Sequence, residues 1–211
     1  MPGTSTSPSL TERRKAETRL EIARTAAALF IEHGLRATRA EDVAREAGVA
    51  PRTFYRYFAT KEEAVAPVFS VGVRRWVDAV RDAPYGLTVP EALTHAARAA
   101  LSADDEENAR AMGCVRQLLR QAEEAPALRS VWNDAHYESE VALAGVLAER
   151  TGHDPEGLPL RLAAGTANTA VRIAVESWAA APDAPADGPE GPAALVARTI
   201  ESLSTPPWSL I

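Results

Sequence analysis

Two short helix-length segments joined by Gly48-Val49-Ala50, with a longer helical stretch in front of them, set the tightest constraint on how this chain folds. In the long stretch, read as a helix over 11–33, Ile22, Ala26, Leu29 and Phe30 recur at helical spacing and make one apolar face. Gly34 stands next as a C-terminal stop. Thr38-Arg39-Ala40-Glu41 reads as a capping box, with Thr38 at the N-cap and Glu41 at the third helical position. It opens a helix over 39–47, which places Val43, Ala44 and Ala47 inward. Gly48 supplies the positive φ a tight turn needs, Val49 pins the turn to the core, and Pro51 starts a third helix over 51–57. Three helices in this order form a helix-turn-helix bundle.

The remainder also reads as helix. The chain has 43 alanines among 211 residues, 6% aromatics, and no stretch that alternates as a strand does. The fold class is therefore all-α: a three-helix head plus a body of roughly six helices. Thr60-Lys61-Glu62-Glu63 opens a helix to about 82, expected to kink at Pro67. Further helices are expected at 88–102, from Asp104 to 124, and at 127–150, 158–180 and 192–203, with a Pro/Gly-rich loop over 181–192 and TPPW closing the chain. The organisation expected is a disordered arm at 1–10, a head at 11–60 and a body at 61–211.

Charge is split between these parts. Residues 1–60 carry 10 Lys+Arg against 7 Asp+Glu, and residues 61–211 carry 13 against 22, leaving +3 and −9. A basic head on an acidic body fits a polyanion partner. No apolar run reaches membrane-spanning length and the N-terminus lacks a signal-peptide pattern, so a cytoplasmic address is the default. Metal and catalytic chemistry are not expected. His33, His95, His136 and His153 are scattered, Cys114 stands alone, and no nucleophile elbow, P-loop or dinucleotide glycine pattern occurs. No cofactor is implied. The alternative, a helical dimeric protein with an enzymatic or interaction role, lacks a catalytic constellation and leaves the basic, aromatic third helix unexplained.

The run TRAEDVAREAGVAPRTFYRYFATKEEAV, behind the Ile22–Phe30 face and Gly34, resembles the DNA-binding domain of the tetracycline-repressor (TetR) family over about 13–66. The resemblance implies a homodimeric repressor whose head reads a palindromic double-stranded operator and whose body takes a small, largely apolar effector. By position, Arg52, Thr53, Tyr55 and Tyr57 match base- and phosphate-contacting sites, and Lys61 matches a backbone-contacting lysine. Thr38, Arg39, Pro51 and Arg56 complete the candidate DNA surface. Phe54 and Phe58, one turn apart, are expected in the core. The chain departs from the family at Arg39, Glu41 and Arg52, where a threonine, a basic residue and a small residue are common.

In the body, Trp76, Arg116, Leu119, Trp132, Tyr137, Asn168 and Arg172 are the candidate effector residues; His136 and Trp178 are further polar or aromatic groups that an apolar core does not require. An arginine inside a cavity suits a carboxylate, a phosphate or a thioester-linked nucleotide. Residues 104–181 also resemble a TetR subgroup associated with acyl-CoA-like ligands. Helices 158–180 and 192–203, rich in small residues (Ala163, Ala164, Ala167, Ala170, Ala174), are the expected dimer seam.

Overall fold

A computed structural model describes residues 9–103 and 106–202. The expected N-terminal arm, Asp104, Asp105 and the TPPW end therefore lie wholly or mostly outside the described residues. The chain divides into two compact units, Met1–Val68 and Phe69–Ile211. No strand occurs among the described residues.

The first unit contains α1 (Leu10–His33), α2 (Ala40–Glu46) and α3 (Pro51–Tyr57). Its core takes Ile22, Ala26 and Phe30 from α1, Val43 and Ala44 from α2, and Phe54 and Phe58 from α3 and its C-cap. Gly48 adopts φ +66° and Val49 donates back to the Ala44 carbonyl at 2.9 Å, which fixes the turn between α2 and α3.

The capping of α2 differs from expectation. Its N-cap is Arg39, whose backbone N–H donates to Asp42 Oδ2 at 3.1 Å, and Arg45 donates to Asp42 Oδ1 at 2.7 Å. The Arg45 hydrogen bond, more than any other contact, holds the Asp42 carboxyl below its usual pKa. Thr38 turns inward instead: its hydroxyl donates to the carbonyls of Leu29 (3.3 Å) and Gly34 (3.0 Å).

The segment after α3 also corrects the expected kinked helix. Thr60 Oγ1 accepts from Glu63 N–H, and Glu63 returns a carboxylate to Ala59 N–H. A single 3-10 turn, Glu63–Val65, then packs against α1. Only after it does α4 (Ala66–Asp82) begin. Pro67 has no N–H to give the Glu63 carbonyl, so the chain tightens before it. Proline then stands in the first turn of α4, where its missing donor costs nothing.

The second unit holds the rest of α4 with α5 (Val89–Leu101), α6 (Glu106–Ala122), α7 (Pro126–Thr151), α8 (Leu158–Ala180) and α9 (Pro192–Glu201). Thr88 and Glu91 form the capping box of α5, and Gly152 ends α7 in the left-handed region. α8 is the hub, packed on α6, α7 and α9. Ala163, Ala164, Ala167, Ala170 and Ala174 are all buried within the unit, so the expected small-residue seam is part of this protein's own core. The outward face of α8 carries Leu158, Leu162, Thr169 and Ile173.

Arginines close the helix ends. Arg150 donates to the Ala83 and Pro84 carbonyls beyond α4 (2.7 and 2.8 Å). Arg116 and Arg120 donate to the Trp178 and Ala179 carbonyls at the end of α8 (3.3 and 3.0 Å). Cations there satisfy orphan carbonyls and oppose the negative end of the helix dipole.

Candidate nucleic-acid interface and body pocket

Burying Phe54 and Phe58 on one side of α3 dictates what the other side shows. Pro51, Arg52, Tyr55 and Arg56 are exposed, and Thr53 and Tyr57 are half-buried. Arg56 lies over the Tyr57 ring at 5.3 Å. Arg39 is exposed at the mouth of α2. These residues, all candidates from the sequence, share one small unit.

Three of the candidates are already engaged. Thr38 is 3% exposed and its hydroxyl is spent on two carbonyls, so its side chain is not on the surface. Lys61 Nζ donates to the Leu35 and Thr38 carbonyls at 2.6 and 2.8 Å, tying the loop between α1 and α2 to the turn after α3. Tyr55 donates to Glu41 Oε1 at 3.1 Å, and this bond to a carboxylate pushes the phenol pKa up. Glu41, one of the departures from the family pattern, thus sits against the third helix.

In the body, Trp132, Asn168 and Arg172 come together through two groups outside the candidate set, His136 and Glu176. Trp132 Nε1 donates to Glu176 Oε1 at 2.7 Å, and Arg172 donates to both Glu176 oxygens at 3.0 and 3.1 Å. Trp132 stacks edge-on against Phe69 and His136. His136 is buried, its Nδ1 faces Asn168 Oδ1, and burial drives its pKa down to about 4. His136 Nε2 and Ser139 Oγ, one turn apart, are buried without a hydrogen-bond partner among the described residues. Trp76 is buried too, and its Nε1 is likewise unpartnered among the described residues.

Leu119 and Trp132 line a pocket of about 270 Å³ with Arg120, Arg129, Glu176 and Ala179. Arg116 stands apart. Its guanidinium lies 3.8 Å from the Trp178 ring centroid and donates to the Trp178 and Ala184 carbonyls, so it holds the loop after α8. Tyr137 is 68% exposed. Cys114 is half-buried, and burial raises its thiol pKa.

A family model described as "Bacterial regulatory proteins, tetR family" matches residues 22–66. A second, the "MftR C-terminal domain", matches residues 87–204, more than half the chain. The chain belongs to the tetR family. The HTH-type transcriptional regulator TcmR of Streptomyces glaucescens is 32% identical over 149 residues, 70% of this chain and 66% of that one. The HTH-type transcriptional repressor KstR2 of Mycobacterium tuberculosis is 49% identical over 45 residues, 21% of this chain and 22% of its own length. The chain thus spans just under two thirds of the first relative and about a fifth of the second. Among solved structures, Thermus thermophilus FadR, a TetR-family repressor in complex with lauroyl-CoA, shares 20% identity and a TM-score of 0.55. That alignment covers 87% of this chain and 91% of FadR.

The matched tetR-family head contains Thr38 through Lys61, and with them every DNA-surface candidate. Sequence reasoning missed Glu176. At i+4 from Arg172 it looks like an ordinary surface ion pair, and its second partner, Trp132, is 44 positions away. It also missed Arg120, whose alternation with Arg116 along α6 is visible only once both are seen capping α8.

Proposed function

We propose that this tetR-family protein is a DNA-binding transcriptional repressor that acts as a homodimer and leaves a palindromic operator when a small, largely apolar effector enters its body. One observation carries the reading: α3 has both phenylalanines inside and Arg52, Tyr55 and Arg56 outside. That is the presentation a recognition helix needs in a major groove. Arg52, near the start of α3, reads base edges; Arg39, Thr53, Arg56 and Tyr57 meet phosphate or sugar.

One head covers too few base pairs to find a site, so a second copy is required. The outward stripe of α8, Leu158, Leu162 and Ile173, supports a seam on α8, flanked by α9 and widened by exposed Tyr137 and Val141 of α7. In α9 itself Val196, Ala197 and Ile200 are consumed inside. The effector occupies the body beside Trp132, where the 270 Å³ pocket meets the Glu176–Arg172 pair. FadR's complex with lauroyl-CoA supports effector binding in this fold. Ligand binding shifts α4, and the 3-10 turn ahead of Pro67 absorbs the movement. This carries the recognition helices off the ~34–36 Å spacing of successive major grooves. A preference of a few kcal/mol for the released state suffices.

The test is selection of bound duplexes from a random pool. A palindrome with half-sites one turn apart is the expected product. An asymmetric motif, or no enrichment, overturns the dimeric-repressor reading. Sedimentation of Leu162→Glu checks the seam, which predicts a monomer.

A further inference from the structure

The core stripe of α1, Phe30–Ala26–Ile22, continues toward the N-terminus at the same helical spacing through Arg19 and Lys15. Where the helix runs past the bundle, cations replace apolar residues on the face that would otherwise be buried. Every residue from Leu10 to Glu17 is exposed, an overhang of about 12 Å at 1.5 Å per residue. Ser9 caps it by accepting from Glu12 N–H at 3.2 Å. The overhang precedes the matched head, which begins at residue 22. Glu12 shares the stripe near its tip, while Glu17 and Glu21 fall on the other side of the helix.

Arg19 fixes where this stripe leads. Its guanidinium lies 5.4 Å from the centroid of Phe58, the C-cap of α3. Tyr57 and Arg56 are the two residues before Phe58, and Lys15 is one turn farther out on the same ridge. Lys15 has no hydrogen-bond or ion-pair partner among the described residues. A seven-residue helix is about 10 Å long, and the major groove is about 12 Å wide. The C-terminal end of a seated α3 is therefore within side-chain reach of a phosphate wall.

We infer that Lys15 and Arg19 form a second phosphate-contacting ridge, which grips the DNA backbone beside the C-terminal end of the recognition helix. The inference rests on the DNA-binding reading above and extends the contact surface onto α1. The ridge carries no base-reading geometry, so it adds affinity equally to every sequence. The stacking on Phe58 holds the Arg19 guanidinium at the edge of the head before DNA arrives.

The test uses the full chain carrying Lys15→Met and Arg19→Met, which keep the aliphatic stems and remove the charges. Duplex affinity is measured against salt, on the selected operator and on a random duplex. Each lost phosphate contact lowers the log–log salt slope by about 0.9, so the double variant, which loses two contacts in each of the dimer's two heads, is expected to lose about 3.6, with equal weakening on both duplexes. Arg110→Met, on α6, is expected to leave the slope unchanged. A variant whose unfolding temperature drops while its slope stays at the wild-type value shows that Arg19 only covers Phe58, and overturns the inference. An unchanged slope at unchanged stability overturns it as well. Wild-type protein that binds no duplex sinks the DNA-binding reading itself, a different result from wild-type binding with an insensitive slope.

Discussion

His136 and Asn168 hold each other at two points across α7 and α8. The ring Nδ1 lies 3.3 Å from Asn168 Oδ1, and Asn168 Nδ2 donates to the His136 carbonyl at 2.9 Å. With the amide oriented by the second bond, Nδ1 carries the proton and donates, which leaves Nε2 as the acceptor of a neutral imidazole.

This pair makes the body sensitive to acid. Burial lowers the His136 pKa to about 4, against about 6.5 when unfolded. Above pH 6.5 both states are neutral and the group contributes no pH dependence. Between 6.5 and 4 the unfolded chain takes up the proton first, so stability falls as pH falls, by up to about 1.4 kcal/mol per pH unit. Urea unfolding from pH 7.5 to 4.5 is expected to show a steeper decline for wild type than for His136→Gln. Parallel curves would mean the imidazole is not held neutral.

Arg52→Ala is expected to weaken operator binding by the ~1–3 kcal/mol of a good bidentate base contact and to relax preference at one position per half-site. Mobility shifts on operator variants measure both. Loss of affinity with base preference intact would reassign Arg52 to a phosphate.

Lys61 is a structural tie in the free head. Removing its ammonium deletes the hydrogen bonds to the Leu35 and Thr38 carbonyls. Lys61→Met is expected to cost about 1–3 kcal/mol of head stability, the loss typical of hydrogen bonds from a charged donor. Thermal unfolding monitored by circular dichroism checks this. A Lys61→Met protein as stable as wild type, with a reduced salt slope, would return Lys61 to a purely DNA-facing role.

Glu41 places a negative charge beside Tyr55, on the proposed DNA surface. Glu41→Gln removes a negative charge next to Tyr55 and frees the phenol from its carboxylate partner. Binding to any duplex is expected to tighten several-fold at low salt and to converge on wild type as salt screens the charge. Equal affinities at low salt would place Glu41 outside the contact zone.

Arg116→Ala is expected to loosen the loop after α8, because Arg116 holds the Ala184 carbonyl while Trp178 Nε1 donates to the Pro185 carbonyl at 2.8 Å. Limited proteolysis should cut between 182 and 190 faster in the variant, with duplex binding unchanged.

Much of this architecture is legible in the residues because glycine and proline punctuate it. Pro51 and the glycines at 34, 48 and 152 mark helix ends by fixed backbone requirements, so α3 and α8 fall where their signals place them. The start of α2 is less legible. Thr38–Glu41 and Arg39–Asp42 are overlapping boxes, and the shorter Asp42, tied to Arg45, wins while Thr38 is drawn inside by two carbonyls. The alanines of α8 cannot say from sequence whether they face a partner or their own core. Arg116 and Tyr137 show the same blindness: an arginine looks the same whether it meets a ligand or caps a helix, and a tyrosine whether it lines a cavity or stands at the surface.

Trp76, Trp132 and Trp178 are all buried in the second unit, and residues 1–68 contain no tryptophan. Indole emission therefore carries no contribution from the head, and Trp132, packed edge-on against Phe69 and His136, is placed to register a molecule bound beside it. The protein thus carries its own optical partition on the proposed reading: indole light is the channel for a body-bound effector, and two of the four tyrosines, Tyr55 and Tyr57, lie on the proposed DNA surface.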